Sequence, residues 1–336
     1  MLRIPTILPH ALMVLFLLPL GAEGQTHCTD CEIHFEKDVV LDFTDAPASP
    51  SFDLMVVELH GGGFAVNGST TGVEILLFDD DGHFSRAIGT RGEGPGEFGS
   101  QPRIGVPMED GFLAHDPALH RLHFIGNDGV TRWTQRMEMT TSGIFGAGSN
   151  LVAAGLAVED GVAHGLLFAE IDGEGTAREV RRIRHAVEQA PVQPGERPDW
   201  LLVATDPDHV WAMGQSGGTL HMLDPYGRPL GTFDVPLEPI PDDPGPVFVF
   251  DIGTGAGLIW IHQVGPAAEG EGATRITVYD PDDRRVATTG WLESLLRPLE
   301  MGRAVQVVPE ASGELSVTVG DLVLRDRSAE TTPSVP

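Results

Sequence analysis

Short runs of alternating apolar and polar residues fill this chain, and the spacing of an amphipathic helix is almost absent. Segments rich in Val, Ile, Leu and Phe are separated by Gly, Asp, Asn and Pro. That punctuation predicts short antiparallel strands joined by tight turns, an all-β fold.

The pattern also repeats. VVELHGGGFAVN (Val56–Asn67) aligns with GVPMEDGFLAHD (Gly105–Asp116). Each reads as a strand, a Gly-bearing turn and a second strand closing on a polar residue. LVATDPDHVWAMG (Leu202–Gly214), VFDIGTGAGLIWIH (Val249–His262) and VQVVPEASGELSVTV (Val305–Val319) match, and SGIFGAGSNLVAAG (Ser142–Gly155) is a degenerate copy. The second strands are placed at Phe64, Phe112, Leu151, Val210, Leu258 and Leu315, at intervals of 48, 39, 59, 48 and 57 residues. Most hairpins are followed by another, as in VEILLFDDDGHFSRAIG (Val73–Gly89), with Asp, Asn or Gly at the turn where φ is positive.

Four antiparallel strands repeated radially make a β-propeller, here six-bladed. The sixth unit shows three strands, Ala304–Val308, Glu314–Val319 and Leu322–Asp326. The fourth is expected from the N-terminal run Ile33–Phe43, because a ring closed by both chain ends leaves no free strand edge. WLESLLRPLE (Trp291–Glu300) has Trp291, Leu292, Leu295 and Leu296 at helical spacing and is expected as a short linking helix. Pro-rich stretches at Glu188–Asp199, Pro236–Pro246 and Gly265–Ala273 are read as insertions at blade edges.

The N-terminus changes the picture. Arg3 precedes an apolar run from Ala11 to Leu20, with Ala22 and Gly24 ahead of an expected cut before Gln25. This is the layout of a secretory signal peptide, and the run is short for a membrane span. The expected organisation is signal peptide 1–24, propeller 25–328 and a disordered tail 329–336. An uncleaved N-terminus would instead make a membrane-retained sensor-type domain. Acids outnumber Lys and Arg by 49 to 21, for a formal charge of −28. Such a field repels nucleic acid and anionic lipid. The two cysteines, Cys28 and Cys31, are expected to form a local disulfide at the mature N-terminus, with a redox motif as the alternative.

The stretch Gly89–Trp133 resembles the NHL-repeat type of six-bladed propeller. Gly92–Phe98 matches the family's Gly-rich linker and Pro102 its proline. Glu109-Asp110-Gly111 matches the turn, Phe112–Asp116 the second strand, His120-Arg121-Leu122 the polar step and Asn127-Asp128-Gly129 the last turn. The resemblance implies the fold, and a propeller fold does not fix an activity. The Gly-rich linker is no phosphate cradle: it lacks Gly-Lys-Ser/Thr, and Glu93 and Glu97 oppose an anion. It reads as a connection between blades.

Second strands of such a ring end at the same mouth as the blade-to-blade loops. Asn67, Asp116, Gln215 and His262, with Gln263 beside it, are therefore expected at that mouth, joined by Arg103 and Arg303 at starts of inner strands. Asp116-Pro117 and Asn67-Gly68 are also ordinary turn pairs. An alternative follows the gluconolactonase- and paraoxonase-like propellers, a divalent-metal hydrolase or lyase. Ca²⁺ would use Glu58, Asn67 and Asp116. A Zn²⁺ lyase would need His60, His115, His209 and His262 together, but the hairpin pattern splits them between two faces. The expectation is an exported, monomeric recognition or scaffold module without a cofactor, binding a protein, peptide or carbohydrate.

Overall fold

The computed structural model describes residues 31–326 except 70–71, 138–139, 148–149, 160–161, 172–176, 184–200, 236–246, 256, 266–272, 281–283, 290–291, 293 and 300–302. The expected signal peptide, Cys28 with its expected bond to Cys31, the tail and most of the Pro-rich stretches lie outside the described residues. Among the described residues no helix is long and apolar enough to cross a membrane.

Strand β1 (Cys31–Leu41) comes first, and the blades follow. Blade one is β2 (Pro50–Glu58), β3 (Phe64–Ser69), β4 (Ile75–Phe78) and β5 (Phe84–Ile88). A parallel pair, β6 (Thr90–Arg91) and β7 (Glu97–Phe98), forms within the Gly-rich linker. Blade two is β8 (Arg103–Met108), β9 (Gly111–Asp116), β10 (Arg121–Gly126) and β11 (Thr131–Arg136). Blade three is β12 (Thr140–Ala147), β13 (Asn150–Glu159), β14 (Val162–Ile171) and β15 (Ala177–Ile183). Blade four is β16 (Leu201–Thr205), β17 (Val210–Gly214), β18 (Gly218–Leu223) and β19 (Pro229–Val235). Blade five is β20 (Phe248–Gly255), β21 (Leu258–Gly265), β22 (Ala273–Asp280) and β23 (Arg284–Thr288). Blade six is β24 (Leu295–Pro298), β25 (Arg303–Pro309), β26 (Leu315–Asp326) and, on its outside, β1. The molecule is a six-bladed β-propeller.

The alternation along each strand explains the ring. A middle strand has a neighbouring blade on both faces, so both sets of its side chains are buried. All six residues of β9 are buried, whereas the outer strand β11 alternates between half-buried and exposed. Apolar residues therefore sort into six clusters, one at each blade-to-blade contact. Leu54 and Val56 face Val305, Val307, Val317 and Val319 of blade six. Val57 and Leu59 face Ile104 and Phe112 of blade two. Burial of each such side chain contributes about 1.5–3 kcal/mol against the entropy of ordering it.

Closure follows the expected scheme, with β1 pairing antiparallel to β26 from Cys31↔Asp326 to Leu41↔Val317. The inside of blade six differs from expectation. The predicted helix at Trp291–Glu300 is, over its described core, the inner strand β24. Pro298 pairs with Ala304 there, and a proline at that place would have broken a helix. The second strand of the blade is β25, and the two last predicted strands are one continuous β26. The second-strand start moves from Leu315 to Arg303, 45 residues after Leu258, in line with the other units.

Removing residues up to Leu41 is expected to leave β26 as a bare edge. Size-exclusion chromatography of that variant should show aggregates, and the full mature chain a monomer.

Candidate functional site

The inner strands surround a central cavity of about 490 Å³ with walls from all six blades. Its two ends differ. Inner strands begin and second strands end on one side, the linker face. The turns between first and second strands lie on the other, the hairpin face.

The Gly-rich linker crosses the linker face, and its task is mechanical. Gly94 N–H donates to the Glu97 carboxylate at 2.7 Å, and the Arg121 guanidinium donates to the Glu93 carbonyl at 2.6 Å. The folded loop drives Phe98, 1% exposed, between blades one and two. Gly89 stands at φ 86°, and a Cβ there would lie 2.6 Å from the Phe98 ring. No larger residue fits that turn.

Two expected ligand residues are consumed in anchoring this linker. Asn67 donates from Nδ2 to the Pro102 carbonyl and accepts from Gln101 Nε2 at 3.1 Å. The Asp116 carboxylate is fully buried. It accepts from Gly99 N–H at 2.6 Å, Ala118 N–H at 3.0 Å, Leu119 N–H at 3.2 Å and the Ser100 hydroxyl at 3.4 Å. One carboxylate thus caps the β9–β10 turn and ties down the incoming chain.

His262 lies on β21 opposite Asp251, fully buried, and neither ring nitrogen has a hydrogen-bond partner among the described residues. Its ring packs edge-on against Phe250 at 5.4 Å. Burial, assisted by the Arg297 charge, pushes the imidazole down to about 3. It is a neutral core histidine. Gln263 is likewise inside the blade, accepting from Arg275 at 2.7 and 2.9 Å. His115 is buried too, hydrogen-bonded through Nδ1 to the Thr141 hydroxyl at 2.8 Å. Burial holds it down at about 4.

Gln215 and Arg103 do reach the cavity at the linker face. Gln215 follows β17, its carbonyl accepts from Val249 N–H at 2.8 Å, and its side-chain amide has no partner among the described residues. Arg103 opens β8, is exposed, and among the described residues has one hydrogen-bond contact, to the Met55 sulfur at 3.9 Å.

Arg303 does not join them. As the first residue of a second strand it lies on the hairpin face, where it binds Glu58 at 2.9 Å and Asp38 and Asp321 at 3.0 Å. Burial lowers its proton affinity, but these carboxylates outweigh that and hold the guanidinium charged. The structure therefore separates the proposed metal set: Glu58 sits on the hairpin face beside an arginine, while Asn67 and Asp116 are committed on the linker face. Among the described residues no three His, Cys, Asp or Glu side chains cluster as a metal site.

Sequence reading missed three groups on the cavity wall. Arg297 of β24 lies 3.0 Å from the Asp251 carboxylate of blade five and donates to the Leu54 carbonyl of blade one at 2.7 Å. It also stacks over Phe250 at 4.9 Å. Burial raises the Asp251 carboxyl above its ordinary range, against the pull of Arg297 and of the Ile252 N–H. Reading the segment as a helix hid Arg297; Pro298 beside it was the available signal. Val106, in the wall at a bulge of β8, has φ 50°, a strained backbone for a β-branched residue. Next to it, a Cβ on Gly105 would meet the Ile144 carbonyl at 2.4 Å, so blades two and three touch there through backbone.

Residues 53–109 match a family described as 6-bladed beta-propeller, DUF5128. No curated protein matches the chain. Among solved structures, a duf4221 family member from Bacteroides vulgatus is similar at TM-score 0.59 and 11% identity, over 89% of this chain and 99% of that one. A Bacteroides fragilis protein described as a "Putative exported protein" is similar at TM-score 0.57 and 12% identity, over 87% of this chain and 95% of that one. These likenesses are of fold.

Asp116→Ala strips the linker of its acceptor and is expected to cost about 3 kcal/mol in urea unfolding. Folded His115 and His262 are neutral, whereas the unfolded chain protonates them below about pH 6.5. Their stabilisation is complete above that pH and is lost as pH falls toward 4 and then 3. The slope should be about 1.4 kcal/mol per pH unit for each histidine. His262→Phe should flatten it, as read from urea midpoints across pH.

Proposed function

We propose that the protein is an exported recognition module that takes a ligand into its central channel from the linker face. The observation that carries this reading is the cavity of about 490 Å³ with two uncommitted polar side chains, Arg103 and Gln215, at its rim. Ligand pockets are commonly of this size, mainly apolar with a few polar groups. Strain at Val106 in the same wall agrees, because strained backbone gathers where function holds it. Asn67, Asp116 and His262 support the site from behind.

Export rests on the leader-like first 24 residues and on the Bacteroides fragilis neighbour being named an exported protein. The module works as a monomer and needs no cofactor. The hydrolase or lyase alternative with Ca²⁺ or Zn²⁺ draws no support from carboxylates lying on opposite faces.

The test is a thermal-shift screen of cell-envelope sugars and peptides against purified mature protein, with Gln215→Trp as the blocked-channel control. Hits should raise the melting temperature of the native protein and lose that effect in the variant. Hits that survive the block would place binding elsewhere. Incubation with Ca²⁺ or Zn²⁺ followed by dialysis should leave no stoichiometric metal, as measured by mass spectrometry.

A further inference from the structure

We infer that the channel ligand is a small organic acid with an apolar body, its carboxylate held by Arg103. This rests on the channel-binding reading above and names the ligand's chemistry.

Among the described residues the charged side chains of the cavity wall number five: Glu58, Asp251, Arg103, Arg297 and Arg303. Four are already matched. Arg297 faces Asp251 at 3.0 Å, and Arg303 faces Glu58 at 2.9 Å. Arg103 alone faces no carboxylate among the described residues. Its one hydrogen-bond contact among the described residues is the Met55 sulfur at 3.9 Å, which satisfies none of its charge.

A guanidinium presents a planar fork of N–H donors that matches the two oxygens of a carboxylate. Its field also acts locally. The chain as a whole is strongly negative and repels anions at a distance, but charges beyond about 10 Å are screened at ordinary salt. Of the three arginines on the described channel wall, Arg297 is paired with Asp251 and Arg303 with Glu58, Asp38 and Asp321, so Arg103 is the cation that acts at the mouth. Gln215, at the same mouth, offers an amide that can donate to an anion or accept from a neighbouring hydroxyl. The same wall also carries apolar side chains, among them Met55 beside Arg103 and Phe250. An acid with an apolar body therefore places each end against its complement, while a free inorganic anion would leave the apolar wall uncovered.

Met55 provides the readout, because its sulfur lies against Arg103. The mature protein labelled with ¹³C at methionine methyls is titrated with 3-phenylpropionate and, separately, with its neutral amide of the same shape. The Met55 signal is assigned by Met55→Leu. The acid is expected to move the Met55 methyl in a saturable manner, with the amide about tenfold weaker. Arg103→Met should weaken the acid to the level of the amide, and Arg103→Lys should restore it only partly. Arg103 is exposed, so these substitutions leave the fold intact; Arg132→Met, on an outer strand, serves as the control and should change nothing.

Equal binding of acid and amide at Met55 overturns the carboxylate assignment and leaves the channel reading standing. Acid binding unaffected by Arg103→Met overturns the role of Arg103. If neither compound moves Met55, the assignment fails. The channel reading then fails separately if no hit of the thermal-shift screen moves that methyl.

Discussion

The whole molecule depends on one pairing, that of its first described strand with its last. Each blade is a small twisted sheet whose two faces are covered only by its neighbours, so no blade has a complete core unless the circle is complete. β1 alongside β26 meets that condition. Leu41 enters the same apolar cluster as Leu54 and Val317, joining the closing strand to both sides of the seam. Two arginines of blade six add to it. Arg297 reaches blades five and one at once, and Arg303 gathers carboxylates from β1, β2 and β26. The seam thus has apolar contact in its interior and fixed charge pairs at the channel.

Given closure, the linkers have one remaining duty, to carry the chain from an outer strand back to the next inner strand without disturbing the mouth. The first of them does so by folding on itself, burying Phe98 and giving its amides to Asp116. Polar residues that look available in a linear sequence are thereby turned inward. What stays open at the mouth is what the linker did not require.

The strand pattern and its spacing made the number of blades legible, along with the hairpins and the role of the N-terminal strand. These depend on local alternation and on turn residues, which a sequence displays directly. Blade six was misaligned because β24 is short and its Leu295 and Leu296 also fit a helical stripe. That single slip moved Arg303 to the wrong mouth and concealed Arg297. The site was less legible for a further reason. Whether Asp116 faces a ligand or four donors of its own chain depends on how a loop packs seventeen residues away, and no local pattern encodes that. His262 was chosen for its position at a strand end, but its ring lies between blades. Gln215 and Arg103 line the cavity because strand ends alone decide where they sit.

The closing strand also has a bearing on the timing of folding. Among the described strands β1 is made first and its partner β26 last, with every other strand between Cys31 and Asp326. The edge of β1 therefore stays unsatisfied until the six blades have been synthesised, and this most sequence-distant contact forms last. High contact order of this kind slows folding. Until those two strands meet, neither the apolar cluster at the seam nor the carboxylates around Arg303 are in place, so the last step of folding is also the one that completes the channel wall.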